Sequence, residues 1–183
     1  MQKALPDILV VAETKLNNDF STQNFIVENY QTPLRRDRNE HGGGLMQFNR
    51  KGVICNRVPN LESKYLEMIC TELNVNKKKW AIFAVYRPPV PSNVTVFFQE
   101  LSSCINMALD KYENVMIISD INIDWQNRKH PCFENLKDFC DVFGLDNLVQ
   151  VKTCFTGDHS SSMDVMLTNR KRNFQRHPLL KLD

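Results

Sequence analysis

The side chains best suited to chemistry in this sequence follow an apolar run. Residues 115–119 read as a buried strand, and Asp120, Asn122 and Asp124 come directly after it. Alternate residues of an extended chain point the same way, so we expect these three side chains to share one face at the strand end. A carboxylate beside a hydrophobic strand is costly unless it is paired or holds a metal ion. The pattern therefore indicates a polar site on the rim of a sheet, although Asp and Asn also end strands by forming turns.

Two further apolar runs carry acids, and a third ends in groups suited to phosphate. Glu13 follows residues 7–12, and Asp164 lies near the start of 163–168. Hard cations such as Mg²⁺ take oxygen ligands, often from only one or two carboxylates. Tyr86 and Arg87, after residues 79–85, offer a phenol and a guanidinium for binding phosphate. There is no P-loop, no dinucleotide glycine motif and no Ser-His-Asp pattern, and the glycine triplet at 42–44 alone is a weak signal for a phosphate cradle.

Charge is distributed unevenly along the chain although the net charge is only +2. Residues 113–146 hold seven acids against three basic residues. Basic clusters lie at 35–38, 77–79 and 170–172. An acidic centre with basic flanks suits a metal site that handles a polyanion, whereas each cluster taken singly is typical of a solvated mixed-charge surface.

Length and composition indicate one globular domain. The chain has 183 residues, of which 42% are hydrophobic and 24% charged, as in ordinary soluble proteins. No apolar run approaches the roughly 18 residues of a membrane span, and no signal peptide is evident. The six cysteines form no C-x-x-C pair, so we expect reduced thiols in an intracellular protein and no zinc site.

Hydrophobic patterns predict strands and two helices in a layered α/β or α+β fold. One helix is expected from Ser92 or Asn93 to about Lys111, and another over 131–143 with Gly144 as its stop signal. Residues 35–44 are expected to form a charged loop. Strands are predicted at 7–13, 45–49, 53–58, 65–75, 79–86, 115–119 and 163–168.

The order of five motifs resembles a known family. The chain is similar to the endonuclease/exonuclease/phosphatase superfamily, and most similar to the endonuclease domain of non-LTR (LINE-type) retrotransposons. The resemblance covers about 160 residues, and its specificity comes from five motifs occurring in register. These are Glu13-Thr14-Lys15-Leu16, Arg36-Asp37-Arg38 with Gly42-Gly43-Gly44-Leu45, Tyr86-Arg87-Pro88-Pro89, Ser119-Asp120-Ile121-Asn122-Ile123-Asp124 and Ser161-Ser162-Met163-Asp164-Val165-Met166-Leu167-Thr168-Asn169.

The resemblance implies a two-layer β-sandwich flanked by helices over residues 1–169, followed by a basic tail at 170–183. It implies Mg²⁺-dependent (or Mn²⁺-dependent) hydrolysis that nicks DNA in the nucleus, in partnership with a reverse transcriptase domain encoded elsewhere. No membrane association is expected. By position, the metal ligand is Glu13, the catalytic residues are Asp120, Asn122, Tyr86 and Asp164, and the residues that bind phosphate or DNA are Arg87, Arg36 and Arg38.

In those implied roles Asp120 handles the attacking water, Asn122 contacts the scissile phosphate and Tyr86 lies near it. Asp164 orients the catalytic histidine of the family.

The sequence also departs from the family pattern. The family's first strand, with its metal-site asparagine, and its final Ser-Asp-His segment have no match, so we expect a domain truncated at both ends with impaired activity. Ser119 replaces a glycine, and His177 is the one histidine after Asp164. The alternative is a non-catalytic retrotransposon-derived remnant or a weak nucleic-acid-binding domain. A phosphatase or sugar-phosphate hydrolase of the same superfamily is less favoured.

Overall fold

A computed structural model describes residues 5–90, 93–157 and 159–173. Ser92 and His177 lie outside these residues, as does most of the predicted tail. The two α-helices are α1 (Val94–Leu109) and α2 (Phe133–Phe143). The strands are β1 (Ile8–Ala12), β2 (Leu34–Arg36), β3 (Leu45–Asn49), β4 (Cys55–Arg57), β5 (Glu67–Val75), β6 (Lys78–Tyr86), β7 (Asn114–Asp120), β8 (Asp146–Asn147), β9 (Cys154–Thr156), β10 (His159–Ser161) and β11 (Asp164–Thr168).

Nine of the strands form two sheets that pack face to face. The larger sheet has the order β4-β5-β6-β7-β11-β8, and the smaller has the order β1-β3-β2. Neighbouring strands are antiparallel except β6 and β7, which are parallel and joined by the crossover helix α1. The strands β9 and β10 form a separate hairpin.

Alternation along β6 explains the layers, because successive side chains of a strand point to opposite faces. Phe83 and Val85 pack on the side that holds α1 and α2. Ala84 and Tyr86 pack with Leu45 of the smaller sheet. The larger sheet is therefore buried on both faces, and the predicted two-layer sandwich flanked by helices is confirmed.

The predicted elements lie within three residues of those observed. Gly144 ends α2 with φ +59°, the left-handed conformation that the stop signal predicts. Asn93 precedes α1 without a side-chain capping bond. The loop predicted at 35–44 was wrong at its start, because Arg35 and Arg36 pair with β3 as part of β2. The short strands β8, β9 and β10 were not predicted, since two or three residues carry no readable alternation.

In the described part of the chain, neither helix has the length and apolarity needed to cross a bilayer. The six cysteines are free thiols, and four of them are buried. Burial raises the pKa of Cys140 to about 12, so this thiol stays neutral and packs as a small apolar side chain.

Candidate active site

Four neighbouring strands place a polar residue at the same level of the larger sheet. Glu67 is paired with Tyr86, Tyr86 with Asp120, and Asp120 with Asp164. Directly paired residues project from the same face of a sheet, about 5 Å apart. Because β5 and β11 are antiparallel to β6 and β7, the first residues of β5 and β11 lie next to the last residues of β6 and β7. The four side chains therefore form one row across the sheet. This row brings together three of the four predicted catalytic residues.

Glu13 joins the row from the smaller sheet. It follows β1 in the left-handed conformation, with φ +56°, which is uncommon for a non-glycine residue. The Tyr86 hydroxyl donates to Oε1 of Glu13, and the Gly43 amide donates to Oε2 at 3.1 Å. The Tyr86 bond first, and the Gly43 bond after it, hold the pKa of Glu13 below its ordinary value. Burial and the Glu13 carboxylate raise the pKa of Tyr86, so the phenol stays a donor.

The glycine triplet positions carboxylates. The amide of Gly43 binds Glu13, and the amide of Gly44 binds Glu67. The backbone N–H of Lys15 donates to the carbonyl of Gly43 at 2.9 Å, which ties the loop to the segment after β1. With both amides occupied by protein carboxylates, this loop orders the acids around the site.

Gly43→Ala is expected to destabilise the protein by about 2–4 kcal/mol, because the added Cβ displaces the Arg38–Glu67 ion pair and the Gly44–Glu67 hydrogen bond as well as straining the backbone. Gly43 has φ +69°, and a Cβ there would lie 2.5 Å from Cζ of Arg38 and 2.5 Å from Oε2 of Glu67. Gly52→Ala is the matched control, because it has φ +90° with nothing within 4 Å of the added Cβ. The control should cost only the backbone strain of about 1 kcal/mol. Urea denaturation measures both, and equal losses would contradict the steric argument.

Asp120 is the strongly perturbed acid of the row. Burial first, and then the charge of Asp164, raise the pKa of Asp120 to about 6. The charge of Glu13 acts in the same direction, whereas a 3.2 Å hydrogen bond from the Asn122 amide and the charge of Arg87 act against it. A carboxylate with a pKa near neutrality is suited to accept a proton at physiological pH.

The titration of Asp120 is expected to make the free energy of unfolding of the metal-free protein depend on pH. Its folded pKa of about 6 lies above the ordinary value of 3.8, so the folded state binds the proton more tightly. This contribution is therefore lost as the pH rises from about 4 to about 6. The full shift corresponds to about 3 kcal/mol, and solvent screening of the half-buried carboxyl reduces the cost to about 1–2 kcal/mol. The difference between the wild-type and Asp120→Asn unfolding free energies, measured from pH 4 to 8, should change by this amount. A constant difference would contradict the shift.

The chain turns after Asp120, which changes the expected geometry. Asn122 has φ +50°, so the alternation predicted to align Asp120, Asn122 and Asp124 does not continue beyond β7. Nδ2 of Asn122 donates to the carbonyl of Arg87 at 2.8 Å, which leaves its second amide hydrogen for a ligand. Asp124 instead accepts the Ser162 amide at 3.0 Å and serves the fold.

Arg87 lies beneath this turn. It is only 3% exposed, and its guanidinium donates to the carbonyls of Ile121 at 2.7 Å, Asn122 at 3.0 Å and Val90 at 3.3 Å. These contacts favour positioning of the Asn122 turn over the phosphate contact predicted for Arg87. A positioning role would act through Asn122.

The other two predicted phosphate-binding residues lie beside the glycine loop. Arg38 donates to Glu67 at 2.8 Å and to the carbonyl of Gly42 at 2.7 Å. Arg36 donates to the carbonyl of Lys64 at 3.1 Å. Asp164 is exposed, and its backbone amide donates to Oγ1 of Thr153 at 3.1 Å. The roles of all these residues in binding and catalysis stay predictions.

Glu67 is the site residue that the sequence analysis missed. It begins β5, pairs with Tyr86 and holds both Arg38 and the Gly44 amide. The signal was available, since an acid at the start of an apolar strand is the pattern that identified Asp164.

A preformed metal cage is absent from the described residues, where no three His, Cys, Asp or Glu side chains converge closely enough to form one. A hard divalent cation needs only one or two carboxylates when water and substrate phosphate complete its shell. The exposed carboxylate of Glu13 and the acids that crowd Asp120 fit that requirement, because a cation relieves their mutual repulsion.

No protein-family model matches the sequence, and no curated protein matches it significantly in sequence. Solved structures nevertheless share its fold. The endonuclease domain of TRAS1, a telomere-specific non-LTR retrotransposon, is 12% identical with a TM-score of 0.59, over 91% of this chain and 69% of that one. An AP endonuclease from Archaeoglobus fulgidus is 13% identical with a TM-score of 0.66, over 91% of this chain and 77% of that one.

A third similar structure is the 3′ phosphatase NExo from Neisseria, bound to a product DNA hairpin. It is 17% identical with a TM-score of 0.65, over 92% of this chain and 78% of that one. An endonuclease/exonuclease/phosphatase family protein from Leptotrichia buccalis also matches, at 11% identity with a TM-score of 0.54, over 89% of this chain and 75% of that one. The chain therefore has the endonuclease/exonuclease/phosphatase fold predicted from its motifs.

Proposed function

We propose that this chain is a divalent-metal-dependent phosphodiesterase that nicks DNA. The observation that supports it best is the row of Tyr86, Asp120 and Asp164 on three neighbouring strands, with Glu13 held against Tyr86. The pKa of Asp120 is raised, whereas the pKa of Glu13 is lowered so that Glu13 stays ionised. Two carboxylates tuned in opposite directions are typical of a site that separates proton transfer from charge binding.

In the proposed reaction, Asp120 accepts a proton from the water that attacks phosphorus. Its pKa of about 6 leaves it largely ionised at pH 7 and still basic enough to take that proton. The free amide hydrogen of Asn122 donates to a non-bridging phosphate oxygen, and the turn stabilised by Arg87 keeps that amide in place. Attack in line with the leaving oxygen forms a P–O bond to the water oxygen and breaks the bond to the leaving oxygen. The leaving oxygen takes a proton from solvent, which leaves a nicked strand.

Glu13 is the residue proposed to hold the cation, Mg²⁺ or Mn²⁺. Its two oxygens each accept one hydrogen bond, so each keeps a further lone pair for a metal or for metal-bound water. A bound cation would supply positive charge against the charge that develops on the phosphate oxygens. Tyr86 and Gly43 fix the carboxylate before substrate arrives, which lowers the cost of ordering it.

We further propose that this activity is that of a retrotransposon endonuclease. It is supported by the motif resemblance and by the shared fold with the TRAS1 endonuclease domain. DNA as the substrate, action in the nucleus and partnership with a reverse transcriptase domain all follow from that origin. The fold shared with a 3′ phosphatase makes terminal phosphate release the rival reaction to exclude.

A nicking assay on supercoiled plasmid tests the proposal. With Mg²⁺, purified protein should convert supercoiled DNA to open circles, and EDTA should prevent the conversion. An oligonucleotide with a 3′-phosphate, supplied in parallel, tests for phosphate release. Release without nicking would replace the endonuclease by a phosphatase, and DNA binding without either reaction would favour the non-catalytic alternative.

Glu13→Gln is expected to remove stabilisation of the fold by Mg²⁺. At a concentration ten times the dissociation constant, one bound ion adds about 1.4 kcal/mol to the free energy of unfolding. This raises the unfolding temperature of the wild type by about 3–6 °C. Glu40→Gln, in the exposed part of the glycine loop, is the matched control and should keep the rise. An equal rise in Glu13→Gln would show that Glu13 is not a ligand.

A further inference from the structure

A second charged site lies at the opposite end of the larger sheet from the candidate active site. It is a cleft of about 360 Å³ between the β5–β6 turn and the segment that joins α1 to β7. We call it the basal cleft. Its lining residues are all polar: Lys77, Lys78, Lys79, Lys111, Glu113 and Asn114.

The basal cleft is strongly positive. Its four lysines exceed its single glutamate by three charges, more than the net charge of +2 of the whole chain. Lys79 pairs with Glu72 at 3.2 Å. Within the described residues, the ammonium groups of Lys77, Lys78 and Lys111 form no ion pair.

Two contacts organise the rim of the cleft. Nε of Arg170 donates to Oδ1 of Asn114 at 3.0 Å, and Nη2 of Arg170 donates to the carbonyl of Glu113 at 3.1 Å. These bonds hold a guanidinium against two of the residues that line the cleft. Asn114 also donates through Nδ2 to the carbonyl of Lys79 at 3.0 Å, so it links Arg170 to the lysine-bearing strand although the two are far apart in the sequence.

The hairpin places its lysine at a conformational cost. Asn76 has φ +51° and Lys77 has φ +65°, as in a two-residue turn whose second position usually takes glycine. A side chain in that conformation costs about 1 kcal/mol relative to glycine. The turn therefore has the cationic Lys77 at the position where its backbone conformation favours glycine.

We propose that the basal cleft binds the phosphodiester backbone of a nucleic acid, independently of the candidate active site. Lys78 begins β6 and Tyr86 ends it, and eight residues at about 3.3 Å each separate the two ends by about 26 Å. The cleft therefore holds a nucleic-acid segment other than the one at the active site. A membrane surface fits less well, because the lining has no apolar side chain to insert and is concave.

A binding assay without metal tests the proposal separately from catalysis. Fluorescence anisotropy of a labelled 20-base-pair DNA duplex, in EDTA and over a range of NaCl concentrations, gives the affinity and its salt dependence. The variant Lys77→Gln/Lys78→Gln/Lys111→Gln should bind at least tenfold more weakly at 0.1 M salt. The slope of log K against log salt should fall in magnitude by about 2–3.

Matched variants decide what a loss means. Lys51→Gln/Lys137→Gln/Lys152→Gln removes the same charge elsewhere and should retain wild-type affinity within about threefold. If both triple variants lose the same affinity for DNA, net charge alone explains the effect and the proposal is overturned. If the cleft triple does not fold, Lys78→Gln/Lys111→Gln leaves the turn residue in place and should still lower the slope by about 2.

Two further ligands complete the test. The first is single-stranded RNA of the same length. If the cleft triple variant binds RNA more weakly than the wild type does, with or without weaker DNA binding, the proposal is supported and the preferred nucleic acid is identified. Vesicles of three parts phosphatidylcholine to one part phosphatidylserine probe the membrane alternative. A cleft variant that loses vesicle binding and keeps nucleic-acid binding would overturn the proposal.

Discussion

Replacing Asp120 with asparagine is expected to lower DNA nicking by about 10²–10⁴-fold, because the amide cannot accept the proton of the attacking water. The same change should stabilise the metal-free protein by about 1–2 kcal/mol at pH 7.5. Above pH 6 the half-buried Asp120 carboxylate is ionised against Asp164 and Glu13, and the neutral amide removes that repulsion. Plasmid nicking and urea denaturation of the same preparation measure the two effects.

The expected fall in activity and rise in stability distinguish a catalytic role of Asp120 from a folding defect. A variant that failed to fold would lose activity and stability together, whereas a catalytic carboxylate loses activity alone. Asp138→Asn, on the exposed surface of α2, is the chemically matched control and should leave both measurements unchanged. Wild-type nicking by Asp120→Asn would contradict the assignment of the general base.

Arg87→Met is expected to destabilise the protein by about 3–4 kcal/mol. The methionine fills a similar volume, but it leaves the carbonyls of Ile121, Asn122 and Val90 without their donor. The Ile121 and Asn122 carbonyls each lose a hydrogen bond from a charged donor, at a cost of about 1.5–2 kcal/mol each, whereas the exposed Val90 can turn to water. Urea denaturation at neutral pH measures the loss.

Two comparisons separate positioning by Arg87 from contact with phosphate. Arg128→Met, at an exposed loop position, should change stability by no more than about 0.5 kcal/mol. Arg87→Lys keeps the charge and loses the fork of donors. It should lower both stability and the nicking rate. Arg87→Met, which removes the charge, should leave the salt dependence of DNA binding unchanged. A weaker salt dependence at wild-type stability would instead restore the predicted phosphate contact.

Much of the fold was predictable because its strands are buried on one or both faces. Apolar runs such as those of β6 and β7 mark central strands whatever their neighbours, and Gly144 marks the end of α2 by its own conformation. The exceptions are local. The strand β2 is half buried and carries arginines, so its composition resembles a loop, and pairing with β3 decides its structure.

The sequence by itself determined which residues end strands with acids, and therefore that Glu13, Asp120 and Asp164 were candidates for one site. Only the tertiary structure decided that Glu67 joins them, that the turn at Asn122 separates Asp124 from them, and that Arg87 is buried. It also brought Arg170 to Asn114 and Glu113 in the lining of the basal cleft. The physical reason is the same in each case. Residue type and alternation act within a few residues, whereas strand register and burial depend on packing between segments that are distant in the chain.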